Sequence, residues 1–209
     1  MSIALELAGR FATIVTAVSL LCAGLAVYAR EVRSHASRPH PLERDAGPLA
    51  LVNWAGIGLF VVLGPALAIT QIGSIATIGE PASGLVRVLG LAMLSAAGVL
   101  EVWGGRTMGR HLVSAAEVRP DTELITTGPF GIVRHPMYLA ILLIWLGGAL
   151  AMLNAALAAG FVAFVPAFEL RARLEERMLS RHFGAAYTVY AARVPRLLPR
   201  PTRGRGTIG

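Results

Sequence analysis

The sequence predicts an all-α integral membrane protein: five transmembrane helices, the last two a short hairpin, followed by cytoplasmic amphipathic helices. Three observations predict it. Of the 209 residues 55% are hydrophobic and 15% charged, whereas a soluble domain carries about a quarter charged. The apolar residues fall in runs too long for a core strand or a buried helix. No segments of alternating polarity suggest a barrel, which leaves helices, whose backbone groups satisfy one another in lipid.

The first run, residues 11–29 (FATIVTAVSLLCAGLAVYA), is uncharged. It is longer than the apolar part of a signal peptide and has only Arg10 before it as a basic flank, so it reads as a span. Cys22, the one cysteine, lies inside this run as a small apolar filler. Residues 30–45 form a polar, arginine- and proline-containing loop. Residues 49–72 form a second span with Pro65 as a possible kink point, and residues 84–104 a third, with Arg87 near one end and Glu101 near the other. Residues 105–136 are polar.

From Pro136 to Phe168 the chain carries no formal charge over 33 residues. A straight helix of that length reaches about 48 Å, against a hydrocarbon core of about 30 Å. Folded at GGALAMLNAA it becomes two arms of about 24 Å each, with Asn154 near the tip, short enough to need local thinning of the bilayer. The basic residues are all arginine, 19 of them, in a chain of net charge +7. With five spans, the loops at 30–48 and 105–136 and the tail at 169–209 share one side and hold four, four and nine arginines, leaving Arg10 and Arg87 on the other. The positive-inside rule then places the N-terminus outside and the C-terminus in the cytoplasm. The same distribution suits membrane topology better than nucleic acid, which is not expected as a partner.

The polar stretches large enough for a site therefore face the cytoplasm. GGRTMGRH follows a span rather than a strand, so it is a poor dinucleotide fingerprint. In TTGPFGIVRHPMYLAILL, residues 126–143, Gly-Pro marks a turn and Pro136 suits the first helical position. The amides just beyond it carry the positive end of the helix dipole, a ready place for a carboxylate or phosphate. Arg134 adds a full charge, His135 donates or accepts near neutral pH, and Tyr138 lies on the same face as His135. The alternative is an interfacial anchor of arginine and tyrosine. Residues 169–199 form a second constellation: Arg171 and Glu175 share a helix face beside the apolar Leu174 and Met178, as on a surface helix. A short helix with Tyr187 and Tyr190 must then stop before Pro195. Here the alternative is a basic tail lying on anionic lipid. Glu101 is expected to pair with an arginine.

Together and in order, GPFGIVRHPMY, EERML and FGAAYTVYAARVPRLLP resemble the isoprenylcysteine carboxyl methyltransferase family of integral membrane methyltransferases, over roughly residues 105–199. Where many members carry glycine soon after the tyrosine, this chain has Leu139 and Ala140. The resemblance implies methyl transfer from S-adenosyl-L-methionine to a lipophilic, isoprenylcysteine-like carboxylate at the membrane. It implies cofactor binding by His135, Pro136, Tyr138 and Glu175, with Val133 and Pro129 beside them, and a reaction centre of Arg171, Glu175 and Arg134. No metal is expected. With no internal repeat and no separate soluble domain, one membrane domain, residues 1–209, is expected, in which 1–83 supply two spans and 84–209 the catalytic core. The acceptor would enter from the bilayer among membrane lipid. A carboxylate is ionised at pH 7 and needs no general base, in keeping with a site lacking an evident acid-base dyad. The rival readings are a methyltransferase for a lipid amine or small thiol, a nicotinamide-dependent membrane reductase of related fold, and a non-enzymatic scaffold or transporter. The last fits poorly, because the spans offer few polar groups near the midplane.

Overall fold

The computed structural model describes residues 2–34, 43–44, 51–75, 82–109, 117–118 and 122–199. Residues 35–42 and 45–48 of the loop expected at 30–48, residues 110–116 and 119–121 of that expected at 105–136, the short loop at 76–81, and the tail beyond residue 199 lie outside these residues. Among the described residues, six α-helices make up the architecture: α1 (Ser2–Ser34), α2 (Val52–Thr70), α3 (Ala82–Met108), α4 (Pro136–Met152), α5 (Ala155–Phe183) and α6 (Ala185–Arg193). A two-residue antiparallel pair, β1 (Glu43–Arg44) with β2 (Glu117–Val118), departs from the all-helical expectation. It ties two stretches that read as loops, whose polar residues carry no alternating pattern.

Helices α1, α2, α3 and α5 are long and apolar enough to cross a membrane, and α4 is a shorter apolar helix. Large side chains such as Val62, Leu85, Val99 and Val162 point outward, as lipid-facing surfaces do. Helix α1 begins well before residue 11 because Arg10 is not a bare charge: it pairs with Glu6 one turn earlier, and Arg87 lies 3.9 Å from the same carboxylate. Helix α2 runs through Pro65 and ends at Gln71 in the left-handed region.

The 33-residue apolar run is divided between α4 and α5. Leu153 takes φ 50°, and Asn154 caps α5 by accepting from the amides of Ala156 and Leu157 at 3.0 and 3.1 Å. The same side chain donates to Ile72 O at 2.8 Å, and Ala155 N donates to Gly73 O at 2.9 Å. The tip of the α4–α5 pair is thus bolted to the loop after α2. From there α4 and α5 run back along each other, with Trp145 against Phe164 and Tyr138 against Phe168.

Helix α3 packs on the opposite side of α4 through glycine. A Cβ on Gly90 would lie 2.2 Å from Ala151 N, and one on Gly147 3.0 Å from Gly90 O. Such backbone contact is the usual way helices associate without a hydrophobic driving force. Buried Trp145 donates Nε1–H to Gly56 O at 2.9 Å, locking α4 to α2, and meets Phe60 edge-on at 5.5 Å.

Two expectations need correction. Residues 169–183 are not a separate surface helix: α5 continues without a break for 29 residues, because nothing before Gly184 (φ 53°) interrupts it and Glu169 and Arg173 pair one turn apart at 3.0 Å. Glu101 does not pair with an arginine among the described residues. Its Oε1 is buried without a hydrogen-bond partner there, on the helix face that also carries buried Ala97 and Gly104 toward α4.

Candidate active site

The loop before α4 is built on close packing. Gly128 takes φ 59°, and a Cβ there would lie 2.7 Å from Thr107 Oγ1 of the α3 end. Residues Gly128–Gly131 form a 3-10 turn with Pro129 and Phe130 buried. Val133 is buried too, its amide donating to Pro129 O at 3.1 Å. The backbone then docks onto the tail beyond α6: Arg134 N donates to Pro195 O at 2.8 Å and His135 N to Arg196 O at 3.1 Å. Pro136 opens α4 at the first helical position, and no side chain caps that end. The amides of Met137 and Tyr138 therefore sit at the positive end of the helix.

Above this end the side chains of α4 and α5 converge. Tyr138 donates its hydroxyl proton to Glu175 Oε2 at 2.7 Å. The His135 ring lies parallel to that of Tyr138, with centroids 5.2 Å apart. Its Nδ1 is 3.5 Å from Glu175 Oε2 and its Nε2 3.3 Å from Glu176 Oε1. One imidazole thus spans two carboxylates, which successive positions of a helix aim in different directions. Burial pushes His135 toward neutrality, but its hydrogen bonds to Glu175 and Glu176 and their charges outweigh burial and hold it above its ordinary value. Arg171, one turn before Glu175, is 1% exposed and lies within electrostatic reach of Tyr138 and Glu175.

The neighbouring carboxylate does different work. Glu176 Oε1 accepts from Arg134 Nε at 2.9 Å and from Arg196 Nε at 2.9 Å, and Oε2 accepts from Arg196 Nη2 at 2.7 Å. Arg134 also donates to the carbonyls of Ala191, at 2.8 Å, and Val194, and Arg196 reaches Glu169. Glu176 is the knot that joins the α4 entrance, α5 and the tail. Helix α6 closes over the loop: Tyr190 donates to Phe130 O at 2.7 Å, its phenol pushed up to about 12 by burial.

Of the residues singled out in the sequence, Arg134, His135, Tyr138, Arg171 and Glu175 come together in one place, with Pro136 setting the helix end. Val133 and Pro129 lie in the packed loop beneath. Arg134 has its donors engaged by Glu176 and by tail carbonyls, so it holds the loop in position. The sequence reading did not find Glu169, Glu176 and Arg196 as an ion-pair network. No spacing rule links residue 196 to 176. Among the described residues, no group of three or more His, Cys, Asp or Glu side chains gathers to hold a metal ion.

Residues 85–186, which run from α3 through the start of α6, match the family model of the phospholipid methyltransferases. The match covers 102 of the 209 residues. A protein-S-isoprenylcysteine O-methyltransferase B of Arabidopsis thaliana is 32% identical over 113 residues, covering 53% of this chain and 57% of the relative. A nickel-cobalt-cadmium resistance protein NccN of Alcaligenes xylosoxydans xylosoxydans is 40% identical over 86 residues, 39% of this chain and 38% of the relative. A cobalt-zinc-cadmium resistance protein CzcN of Cupriavidus metallidurans is 36% identical over 89 residues, 42% of this chain and 41% of the relative. The chain thus spans between about two fifths and three fifths of the length of these relatives. The resemblance to a methyltransferase family over this segment and several helices apolar enough to cross a membrane support a multi-pass membrane protein.

Proposed function

We propose that this chain is an S-adenosyl-L-methionine-dependent methyltransferase acting on the carboxylate of a lipophilic, isoprenylcysteine-like acceptor. The observation that carries the reading is the convergence of Tyr138, His135 and Glu175 beside the buried guanidinium of Arg171, at the open start of α4. The donor set suits the cofactor. Glu175 matches an ammonium or sulfonium charge, and the first-turn amides of α4 match a carboxylate. His135, Pro136, Tyr138 and Glu175 would hold it, with Val133 and Pro129 shaping the loop beneath.

When bound, S-adenosyl-L-methionine supplies an electrophilic methyl group: the S–C bond breaks as the acceptor O–C bond forms, and the sulfur leaves as a neutral thioether. The chain's own residues then have two tasks. Arg171 orients the acceptor carboxylate by charge, while the apolar shell of Phe168 and the α4–α5 pair excludes water. An acceptor already ionised at pH 7 leaves no proton for the site to remove. Arg134 and Arg196 neutralise Glu176, so that Glu175 acts as the site's carboxylate.

In the membrane, α4 and α5 act as the fourth and fifth spans. The arginine-rich loops and tail face the cytoplasm and the N-terminus lies outside. The acceptor reaches the site from the bilayer and the cofactor from the cytoplasm. Incubation of the purified chain with methyl-labelled cofactor and a prenylated cysteine tests the reading: base-labile label in the lipid product is expected. Base-stable label on a lipid amine would instead support a second reading, favoured by the phospholipid methyltransferase family match, in which His135 or Glu175 takes the proton an amine must lose. Label in neither product, with binding of a nicotinamide cofactor, would favour a reductase.

A further inference from the structure

Helix α6 carries Tyr187 and Tyr190 one turn apart, their rings edge to face at 6.0 Å. The Tyr190 hydroxyl is occupied by Phe130 O. That of Tyr187 is not: the residue is 4% exposed, and its hydroxyl has no hydrogen-bond partner among the described residues. Buried hydroxyls are almost always paired, because desolvating one without a partner is unfavourable. Phenylalanine would fill the same space without that cost. The charged groups that act on this phenol are those of the site: Glu176, Arg134 and Glu175. Burial, followed by the charge of Glu176, holds the phenol well above its ordinary value, so its proton stays available to donate.

We propose that the Tyr187 hydroxyl is a ligand-binding group of this site, donating a hydrogen bond to the carboxylate at the amino-acid end of the bound methyl donor. The proposal rests on the methyl-transfer reading above. The chemistry of the neighbours selects that end. A ligand ammonium only donates and already has Glu175 to receive it. A ligand carboxylate needs donors, and the nearby Arg134 is engaged by Glu176, Ala191 and Val194. With Arg171 given to the acceptor carboxylate, the neutral O–H of Tyr187 on α6 and the open amides of α4 are the donors that remain.

Tyr187→Phe in the full chain, purified in detergent, tests this. Two probes are titrated calorimetrically. S-adenosylhomocysteine carries the amino-acid end; 5′-methylthioadenosine keeps the nucleoside and thioether but lacks it. The variant is expected to bind S-adenosylhomocysteine about tenfold more weakly, the size of one hydrogen bond to a charged group. It should bind 5′-methylthioadenosine as the unmodified chain does. Its ligand-free melting midpoint should be unchanged or higher, since the lost hydroxyl had no partner. Unchanged affinity for S-adenosylhomocysteine, equal losses for both probes, or a lower ligand-free midpoint would each overturn the proposal. An unmodified chain that binds neither probe would remove the methyl-transfer reading and this proposal with it. Binding by the unmodified chain with an indifferent variant removes the proposal alone.

Discussion

Replacing Glu176 by glutamine perturbs the ion-pair network while keeping side-chain volume. The carboxylate is 11% exposed and faces Arg134 at 10% and Arg196 at 29%. Four guanidinium nitrogens approach it: Arg134 Nε and Nη2 at 2.9 and 2.8 Å, and Arg196 Nε and Nη2 at 2.9 and 2.7 Å. Removing one partner of a fully buried pair costs about 3–5 kcal/mol, because the other charge is left uncompensated. Here the cost is smaller, since the amide still accepts one hydrogen bond and solvent screens the part of the network that Arg196 exposes. A loss of roughly 2–3 kcal/mol follows, or a melting midpoint lower by roughly 5–10 °C for a chain of this size. Tryptophan fluorescence during heating in detergent measures it. Glu169→Gln is the milder change in the same network: this carboxylate is 31% exposed and its partners Arg173 and Arg196 are 55% and 29% exposed, so solvent screening should keep the cost under about 1 kcal/mol. A midpoint for Glu176→Gln within about 1 °C of the unmodified chain would refute the reasoning, because it would mean the tail stays docked without this carboxylate.

Stability should also depend on pH through His135. The carboxylates of Glu175 and Glu176 hold its folded pKa above the ordinary histidine value, so the contribution is full below about 6.5 and is lost as pH rises through the folded value. The midpoint should fall on the alkaline side of that window, and His135→Gln should flatten the profile; a flat profile in the unmodified chain contradicts this. Asn154→Ala removes the one oxygen that accepts from two amides at the start of α5 and the donor to Ile72 O; a loss of about 2–3 kcal/mol is expected from the cap and the stranded buried groups, and a loss under about 0.5 kcal/mol by the same thermal assay would show that the tip is not bolted there. Gly90→Val puts a Cβ 2.2 Å from Ala151 N, so the α3–α4 seam must part and folded yield should collapse, by more than about 4 kcal/mol; Gly98→Ala, with open space around its Cβ, should be neutral or stabilising by up to about 1 kcal/mol. Equal folded yields for the two glycine variants would refute the close packing.

What the sequence made legible is what local rules encode. The turn at Leu153 and Asn154 follows from small residues and a capping side chain inside a run too long for one arm. The meeting of Tyr138 with Glu175 follows from folding that run back on itself, which sets the proline-marked start of α4 beside the far end of α5. Other features depend on partners that no local pattern names. Glu176 stands next to Glu175 in sequence, yet only the return of the tail gives it Arg196 and separates their surroundings. Arg10 read as a flank because its neutralising Glu6 mattered only once residues 2–10 joined the helix. Glu101 looked like half of an ion pair, since one buried carboxylate implies a cation, but the α3 face that carries it turns toward glycine-packed α4. The orphan hydroxyl of Tyr187 was equally hidden: an aromatic residue in a short helix says nothing about where its oxygen ends.

The central claim is that the start of α4 and the far end of α5 line one small-molecule site. Ultraviolet crosslinking of radiolabelled S-adenosylmethionine to the full chain, followed by peptide mapping, tests it most directly. The account predicts label on peptides from both residues 128–145 and residues 169–190, abolished by excess S-adenosylhomocysteine. Label confined to one of these segments, label elsewhere in the chain, or label that S-adenosylhomocysteine does not displace would contradict it.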